Sequence, residues 1–415
     1  MNIPNFDQIL EKYAELIVKA GLNLYPDQQL IIWAGPLEVA PLVRKVVEQA
    51  YKNQSRYVTV LWVDQEVKKI RLQHAPDDSF EEFSSWKLKG IWDCMENGAA
   101  YLQIWGTDPE AYSDTDPEIL SITNRVLSEN YRPISFHQGR SSVQWCLVCF
   151  PTPSWAQRVY PDDQPDQALE KLWQAVIETC RLDQDDPVDF WLSYLAQIDK
   201  RADHLTEKAY RSLKFTGPGT DLRVGLPEGH IWSSGGGISE GGLPFIANLP
   251  TEEVYTLPHK DQINGKVSAT RPLSYQGMFI DNFWLRFSEG KVVEYGAEIG
   301  EDNLGSILDT DQNSRYLGEV AIVPHQTPIA QSGKLFLNTL YDENASNHLA
   351  LGRAYKDSLE GGPDMTEEEF ARAGGNDSLI HVDFMFGSGE MDVDGILADG
   401  STEPLIRDGE WVVDL

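Results

Sequence analysis

Apolar positions in roughly the first 180 residues alternate between helical and strand spacing. Apolar side chains recur about every 3.6 residues over 6–20, 39–50 and 117–129, which predicts amphipathic helices. Short apolar runs separate these helices, and the predicted strands are 30–34, 57–63, 101–105 and 143–150. Because helices and strands alternate, the connections are crossovers, and the sheet is predicted to be parallel and open.

The pattern changes after two further predicted helices, over 169–177 and 188–198, which are separated by a polar break ending at Pro187. Beyond residue 214, Gly and Pro interrupt short β-prone runs. We therefore predict two domains. An α/β N-terminal domain with an open parallel sheet covers 1–185, and a larger α+β metal-binding domain covers 186–415.

The charge balance is strongly acidic. The chain has 34 Lys and Arg against 65 Asp and Glu, which gives a formal net charge of −31. Such a surface repels nucleic acids and anionic membranes, so neither is predicted as a partner. The sequence has no apolar run of about 20 residues and no basic-then-apolar start. These features predict a cytoplasmic protein without a membrane span.

The cysteine content also predicts a cytoplasmic protein. Cys146 and Cys149 match a C-x-x-C pattern, but they lie inside the apolar run 143–150, which is typical of a buried strand and not of a redox turn. Four cysteines in 415 residues do not make a disulfide framework. They are predicted to be reduced core residues.

Acids and histidines interrupt the strand-like runs of the second half. Glu253 precedes a β-prone run, and Glu319 lies at the head of an apolar strand. Further along, His381 and Asp383 are two residues apart, so a strand would direct both side chains to the same face. One rigid element would then give an ion both a nitrogen and an oxygen ligand.

A helix is predicted to start just after Asp342 and Asn344, because both are residues that cap helices. On this helix His348 and Tyr355, seven residues apart, would point off one face about two turns from each other. Glu343 would lie just before the first turn. The helix entrance would therefore supply about half of a metal site.

Together these side chains have the composition of a metal site. Four carboxylates, two imidazoles and a phenol are too oxygen-rich for a structural zinc site, which prefers Cys and His. They suit two divalent ions, with one carboxylate bridging the pair. Each residue alone has an ordinary explanation as a surface acid, a packed histidine or a core tyrosine, so the prediction depends on their joint occurrence. The candidate metal ligands are Glu253, Glu319, Glu343, His348, Tyr355, His381 and Asp383.

Four segments carry a resemblance to a known family. They are NLPTEEVYTLP at 248–258, LGE at 317–319, TLYDENA at 339–345 and GNDSLIHVDFM at 375–385. In sequence and order they resemble the signature segments of the thermophilic metalloprotease family of aminopeptidases, of the aminopeptidase T and aminopeptidase S type. The resemblance extends from about residue 219 to the C-terminus, whereas the N-terminal region matches in pattern only.

The resemblance implies a cytosolic, metal-dependent exopeptidase that releases N-terminal amino acids from peptides by means of a metal-activated water. It implies two divalent ions (zinc, cobalt or magnesium) and a homodimer. The seven candidate ligands stand where the family places its metal-binding and active-site residues, with Glu319 as the bridge. Glu319, Tyr355 and Glu343 are the residues expected to act in catalysis.

Two other functions remain open from the residues themselves. A dinuclear site could hydrolyse phosphoesters, although only Arg353 and Lys356 lie near the motifs to bind a phosphate. Alternatively, the protein could bind metal without turnover. The general base is also open among Glu252, Glu343 and Glu319, because a carboxylate beside an activated water can accept its proton.

Overall fold

The computed structural model describes residues 3–275 and 278–413. Its α-helices are α1 Phe6–Leu16, α2 Ala40–Lys52, α3 Gln65–His74, α4 Trp86–Glu96, α5 Pro117–Gly139, α6 Pro153–Val159, α7 Pro165–Thr179, α8 Pro187–Lys208, α9 Glu301–Leu308, α10 Pro328–Gln331, α11 Thr339–Asp342 and α12 Glu367–Arg372. Its strands are β1 Gln29–Gly35, β2 Tyr57–Trp62, β3 Ala100–Trp105, β4 Trp145–Cys149, β5 Ser212–Gly217, β6 Thr220–Gly225, β7 Ser233–Ser234, β8 Gly236–Ile238, β9 Pro244–Ile246, β10 Asn248–Leu249, β11 Val254–Thr256, β12 Ile263–Ser268, β13 Leu273–Tyr275, β14 Met278–Ser288, β15 Lys291–Ile299, β16 Leu317–Ile322, β17 His348–Gly352, β18 His381–Met385, β19 Asp392–Ile396, β20 Thr402–Arg407 and β21 Glu410–Trp411.

The chain forms two compact units. The first contains Met1–Ser193 and Gly236–Pro250, and the second contains Tyr194–Gly235 and Thr251–Leu415. That the ranges 1–185 and 186–415 fold as two independent domains remains a prediction. Among the helices that the structure describes, none is both long and apolar enough to span a bilayer.

The first unit contains a parallel sheet with strand order β10-β4-β3-β1-β2. Its β1 sequence, QLIIWAG, is almost continuously apolar and buried, as expected for a strand covered on both faces. The crossover helices come from the segments in which the apolar residues follow a helical period. The predicted open parallel α/β sheet is thus confirmed.

The second unit is built mainly from antiparallel sheets. The larger has the order β13-β14-β12-β6-β5-β19-β20-β21, with β15 paired to β14. The other has the order β18-β17-β16-β11-β7 and carries the site described below. One face of this sheet joins the hydrophobic core of the unit through Val320, Leu349, Leu351, Val382 and Phe384. Because side chains alternate along a strand, the residues between them face the opposite way.

The predicted helix after Asn344 is wrong. Helix α11 ends at Asp342, a 3₁₀ turn covers Glu343–Ala345, and His348 begins strand β17. Strand β17 is hydrogen-bonded on both sides, to β16 and to β18, so pairing on both edges overrides the helix propensity of its Leu and Ala residues. Tyr355 lies beyond the end of this strand, and no helical face joins it to His348.

Candidate metal centre

A row of three residues crosses the sheet at the centre of the site. Glu319 on β16 and Asp383 on β18 are both paired with Ala350 on β17. His348 lies two residues before Ala350 and His381 two residues before Asp383, so all four polar side chains project from the face opposite the core. The predicted common face of His381 and Asp383 is therefore observed.

The first group of candidate ligands is Glu253, Glu319 and His348, whose ligand atoms all lie within 4.8 Å of one another. The Nε2 atom of His348 is 3.0 Å from Oε2 of Glu253 and 3.3 Å from Oε1 of Glu319. All three residues are buried. Glu253 reaches the group from the buried segment 251–253, immediately before β11.

The second group is Glu319, His381 and Asp383, which meets the same distance criterion of 4.8 Å. The Nε2 atom of His381 is 3.4 Å from Oδ1 of Asp383 and 3.7 Å from Oε2 of Glu319. Glu319 thus belongs to both groups, and its two oxygens face different histidines. A carboxylate placed in this way has the arrangement of a bridge between two ions.

Backbone carbonyls orient both histidines. Nδ1 of His348 lies 3.2 Å from the carbonyl of Ser346, and Nδ1 of His381 lies 2.7 Å from the carbonyl of Arg353. Each Nδ1 can therefore donate its proton to a carbonyl, so that Nε2 faces the acids. A protonated ring donates to the acids through Nε2, whereas a neutral ring would present its Nε2 lone pair to an ion, as in metal-ligating histidines.

Gly318, at a β-bulge, allows the carbonyl of Arg353 to approach the backbone of β16 closely. The pairing of β16 with β17 shifts between Leu317 and Glu319. A Cβ atom on Gly318 would lie 2.2 Å from the carbonyl oxygen of Arg353, the same oxygen that accepts from His381. Gly318 therefore permits the close packing behind the second group.

The two histidines and their acids strongly affect each other's ionisation. Burial lowers the pKa of His348, but hydrogen bonds to Glu253 and Glu319 outweigh this effect and raise the pKa well above its usual range. Burial likewise opposes protonation of His381, yet Asp383 and Glu319 raise its pKa to about 9. In the protein alone, protons on the imidazoles thus balance part of the negative charge.

The donor atoms fit divalent ions. In the described part of the chain, the buried Oε2 of Glu253 and Oδ1 of Asp383 have no hydrogen-bond donor apart from the histidine Nε2 atoms 3.0 and 3.4 Å away, and a neutral histidine that donates through Nδ1 gives them none. Leaving a buried carboxylate oxygen unsatisfied costs free energy unless a cation compensates for it. Each group contains one such oxygen, and the mixture of carboxylate and imidazole is typical of zinc, cobalt and related divalent ions.

Glu343 and Tyr355 lie outside the two groups but interact with them electrostatically. Burial raises the pKa of Glu343 well above its usual range, and the negative charges of Glu253 and Asp383 raise it further. Burial also raises the pKa of Tyr355, and its ring centroid is 4.9 Å from that of His381. The structure thus brings five of the seven predicted ligands into ligand distance and leaves these two beside them.

Three further residues of the site were not assigned a role from the sequence. Asn344, predicted only as a cap, accepts a hydrogen bond from the backbone N–H of Glu252 through its side-chain oxygen, at 2.6 Å. Tyr255 is paired with Ala321 on the face of the site. Burial raises the pKa of Asp357 to about 6, and its Oδ1 has no hydrogen-bond partner in the described part of the chain. Tyr255 and Asn344 each lie in one of the four family-like motifs, which was the available signal, whereas Asp357 lies in none of them.

The family model described as thermophilic metalloprotease (M29) matches residues 6–411. The chain belongs to the thermophilic metalloprotease (M29) family. The resemblance predicted from the four motifs is confirmed, and in this M29 protein it covers the N-terminal unit as well.

Known relatives are similar to this M29 protein over almost its full length. Aminopeptidase 2 of Geobacillus stearothermophilus is 42% identical over 413 residues, which are 99% of this chain and 99% of that protein. Aminopeptidase T of Thermus aquaticus is 42% identical over 408 residues, which are 98% and 99% of the two chains. The structure of wild-type AmpT from Thermus thermophilus matches with a TM-score of 0.92 at 40% identity, covering 98% of this chain and 100% of that chain.

Proposed function

We propose that this M29 protein releases N-terminal amino acids from peptides at the centre built around Glu319. Membership of a metalloprotease family, with relatives named aminopeptidases along the whole chain, supports metal-dependent aminopeptidase activity. The observation that carries the site is that Glu319 belongs to both candidate ligand groups. The phosphoesterase and non-catalytic alternatives receive no support from these relatives.

Two divalent ions are proposed, with zinc, cobalt and magnesium as candidates. Glu253 and His348 would hold one ion, His381 and Asp383 the other, and Glu319 would contact both. Ions bound there supply Lewis acidity, which activates water and polarises a peptide carbonyl. Because mixed oxygen and nitrogen ligands accept several metals, the donor set alone does not select one of the three.

Tyr355 is proposed as a hydrogen-bond donor to the developing oxyanion. The raised pKa of its buried phenol keeps the proton on the oxygen at neutral pH. A neutral phenol is a poor metal ligand but a good donor to a negatively charged oxygen. Because Tyr355 lies outside both candidate ligand groups, donation is proposed in place of the ligand role predicted from the sequence.

Glu343 is proposed as the group that accepts a proton from the attacking water and passes it to the leaving amine. Burial and neighbouring carboxylates raise its pKa in the protein alone. Ions bound at the two groups would offset that negative charge, so the Glu343 carboxylate would be ionised and able to accept the proton. The other two candidates for the general base, Glu319 and Glu252, are proposed to have different roles. Glu319 is shared by the ligand groups, and the Glu252 carboxylate accepts a hydrogen bond from the Tyr194 hydroxyl.

Glu252 is proposed to bind the free α-ammonium group of the substrate. It is buried, it lies next to Glu253 in sequence, and its backbone is held by Asn344. A carboxylate at this position would restrict cleavage to the first peptide bond. It would also explain a requirement for peptides with a free N-terminus.

The assay for this function compares three substrates: leucine p-nitroanilide, its N-acetyl derivative and p-nitrophenyl phosphate. We expect turnover of the free amine only, loss of turnover after chelation, and recovery when zinc or cobalt is restored. Glu319→Gln should remove nearly all activity, because it weakens both ligand groups at once. Turnover of the phosphate alone, or undiminished turnover after complete metal removal, would overturn the proposal.

A cytosolic homodimer is proposed from the family resemblance. The free state of all four cysteines agrees with a reducing compartment. Light scattering coupled to size exclusion would test the oligomeric state, with a mass near twice 46.7 kDa as the expected result.

A further inference from the structure

The second ligand group depends on a backbone carbonyl just beyond the end of β17. The carbonyl of Arg353 accepts the Nδ1 proton of His381, with the two atoms 2.7 Å apart. This hydrogen bond turns Nε2 of the same ring towards Glu319 and Asp383. Any group that fixes the Arg353 backbone therefore also fixes the direction of the candidate ligand nitrogen.

Asn376 holds the residues on both sides of Arg353. Its side-chain amide donates to the carbonyl of Gly352 at 2.6 Å, and its backbone carbonyl accepts from the N–H of Ala354 at 2.8 Å. The same amide nitrogen lies 3.0 Å from the carbonyl oxygen of Asn313, in the loop between α9 and β16. Because Asn376 is completely buried, water does not compete for these hydrogen bonds.

A chain of hydrogen bonds reaches the same carbonyl from Asp311, in the same loop. Oδ2 of Asp311 accepts from the Ser378 hydroxyl at 2.7 Å, and that hydroxyl oxygen accepts from the N–H of Ile380 at 3.3 Å. The carbonyl of Ile380 then accepts from the N–H of Arg353 at 2.7 Å. The chain thus connects Asp311 to the residue whose carbonyl orients His381.

The other carboxylate oxygen of Asp311 supports Asn376. Oδ1 accepts from the N–H of Asn313 at 2.7 Å, and the carbonyl of Asn313 accepts from the Asn376 amide. The Asn313 side chain also donates to the carbonyl of Asp377 at 2.7 Å. The two oxygens of Asp311 therefore stabilise the Arg353 backbone by two routes.

The first ligand group is tied to other parts of the chain. The Asn347 side chain, next to His348, accepts from the N–H of Val323 at 2.8 Å. Asn344 holds the backbone just before Glu253. The two routes end instead at the carbonyl behind the second group, so their loss should affect the two groups unequally.

We propose that Asp311 is a positioning residue for the ion held by His381 and Asp383, because it fixes the Arg353 carbonyl that orients the His381 ring. The inference rests on the proposed function, which places one ion at each ligand group. Without Asp311, His381 keeps its place in β18, but its ring is free to turn. The affinity for one of the two ions should therefore fall.

The test is a calorimetric zinc titration of the full-length, ion-free protein in the presence of a competing chelator. Asp311→Ala should lower one of the two zinc association constants by about 10-fold to 100-fold, the usual effect of residues behind a metal ligand. The other constant should change by less than about threefold.

A milder variant cuts the same chain one step later. Ser378→Ala removes only a hydroxyl group, and it should lower the same association constant by about threefold to tenfold. Thermal unfolding shows whether each variant is folded. If Asp311→Ala does not fold, the Ser378→Ala titration decides the question.

A double-mutant cycle separates positioning from a general loss of structure. In the His381→Ala protein, only the first ligand group keeps all its members, so Asp311→Ala should leave the affinity for the remaining ion unchanged. A residue that merely stabilised the fold would weaken that ion too. Weaker zinc binding by the double variant than by His381→Ala alone would therefore contradict the inference.

Asp399 provides the matched control. Its carboxylate also accepts from a serine hydroxyl, at 2.6 Å, and from a backbone N–H, at 2.9 Å, both of Ser401, but it is exposed. Asp399→Ala should leave both zinc association constants unchanged, and an equal effect of Asp399→Ala and Asp311→Ala would overturn the positioning role.

The wild-type titration separates this inference from the proposed function. If the wild-type protein binds two zinc ions and the folded variants of Asp311 and Ser378 weaken neither ion selectively, the positioning role is wrong and the dinuclear centre stands. If the wild-type protein binds fewer than two zinc ions, the proposed dinuclear centre is overturned, and the positioning role with it.

Discussion

Glu319 and Asp383 lie in one row across the sheet, on either side of Ala350. Only a methyl group separates the two carboxylates on the central strand. Because Ala350 is buried and its neighbours on the same face are ligand candidates, the space above it is the space in which ions would lie. The small side chain of Ala350 therefore leaves room for ions.

Filling that space should block metal binding without removing any ligand. We expect Ala350→Leu to weaken zinc binding by about 100-fold or more, at the upper end of the usual effect of residues around a metal site. Ala350→Ser is the matched control, because it preserves the space. Calorimetric titration of the ion-free variants gives the affinities, and thermal unfolding checks that both fold. Equal zinc affinity for the two variants would contradict this description of the site.

Asn344 links two of the segments that carry acids. Its side-chain oxygen accepts from Glu252 N–H, and its amide donates to the Leu340 carbonyl at 2.8 Å. Asn344→Leu leaves a buried N–H unsatisfied, so we expect a loss of about 1–3 kcal/mol in the free energy of unfolding, together with weaker metal binding. Denaturant titration and calorimetry measure the two effects.

The control for Asn344 is an asparagine that makes the same kind of bond at the surface. The Asn264 side-chain oxygen accepts from the Glu289 N–H at 3.0 Å, and the residue is exposed. Asn264→Leu should change stability by less than about 0.5 kcal/mol and leave metal binding intact. Similar losses for the two variants would mean that Asn344 has no special role at the site.

Metal binding should strengthen as pH rises. His381 has a pKa of about 9 in the protein alone, so it carries a proton at pH 7, whereas a metal ligand must be neutral. The apparent association constant should therefore rise about tenfold per pH unit for each displaced proton, up to about pH 9. Competition with a coloured chelator measures it, and a flat profile from pH 6 to 9 would refute this expectation.

The ion-free protein should show the opposite trend in stability. Because the pKa of His381 is higher in the folded protein than in the unfolded chain, protonation of this histidine stabilises the fold. The stabilisation is complete below pH 6.5, the ordinary histidine pKa, and is lost as the pH rises to about 9. We therefore expect the Tm of the ion-free protein to fall across this range. The metal-loaded protein should lack this component, because its histidines are already neutral. Calorimetry on both forms compares the slopes.

Tyr355→Phe separates the proposed role of the phenol as a hydrogen-bond donor from its predicted role as a metal ligand. As a donor to the oxyanion, its loss should lower kcat by about 100-fold or more while the bound metal stays constant. As a ligand, its loss should reduce the metal content. Metal analysis of the dialysed variant beside its steady-state kinetics distinguishes the outcomes, and loss of metal would count against the donor role.

Much of the fold could be read from periodicity. The parallel sheet follows from short apolar runs alternating with helical segments, and the shared face of His381 and Asp383 follows from strand alternation alone. Both features depend on local spacing, which a sequence displays directly. The two residues needed only to be in a strand for their side chains to point the same way.

The incorrect prediction of a helix at His348 shows a limit of prediction from periodicity and residue type. Leu349, Ala350 and Leu351 are good helix formers, and Asp342 resembles a cap. In the structure that aspartate instead accepts from N–H groups before it in the chain, and the run is a central strand. A short apolar run bounded by polar residues fits a buried strand equally well, and only its partners decide between them.

The roles of Asn344 and Ala350 could not be predicted for the same reason. Each depends on a neighbour far away in sequence: the segment at Glu252 for one, and the strands carrying Glu319 and Asp383 for the other. Residue type alone gives little indication of such a role. The acids and histidines were easier to recognise because their chemistry is specific.

Anomalous diffraction from crystals of the metal-loaded protein, recorded on both sides of the zinc absorption edge, would show whether Glu319 is shared by two ions. Two peaks, one beside each carboxylate oxygen of Glu319, are the expected result. One peak should contact Glu253 and His348, and the other His381 and Asp383. A single peak that does not contact Glu319, or no peak between these side chains in an active enzyme, would contradict the account.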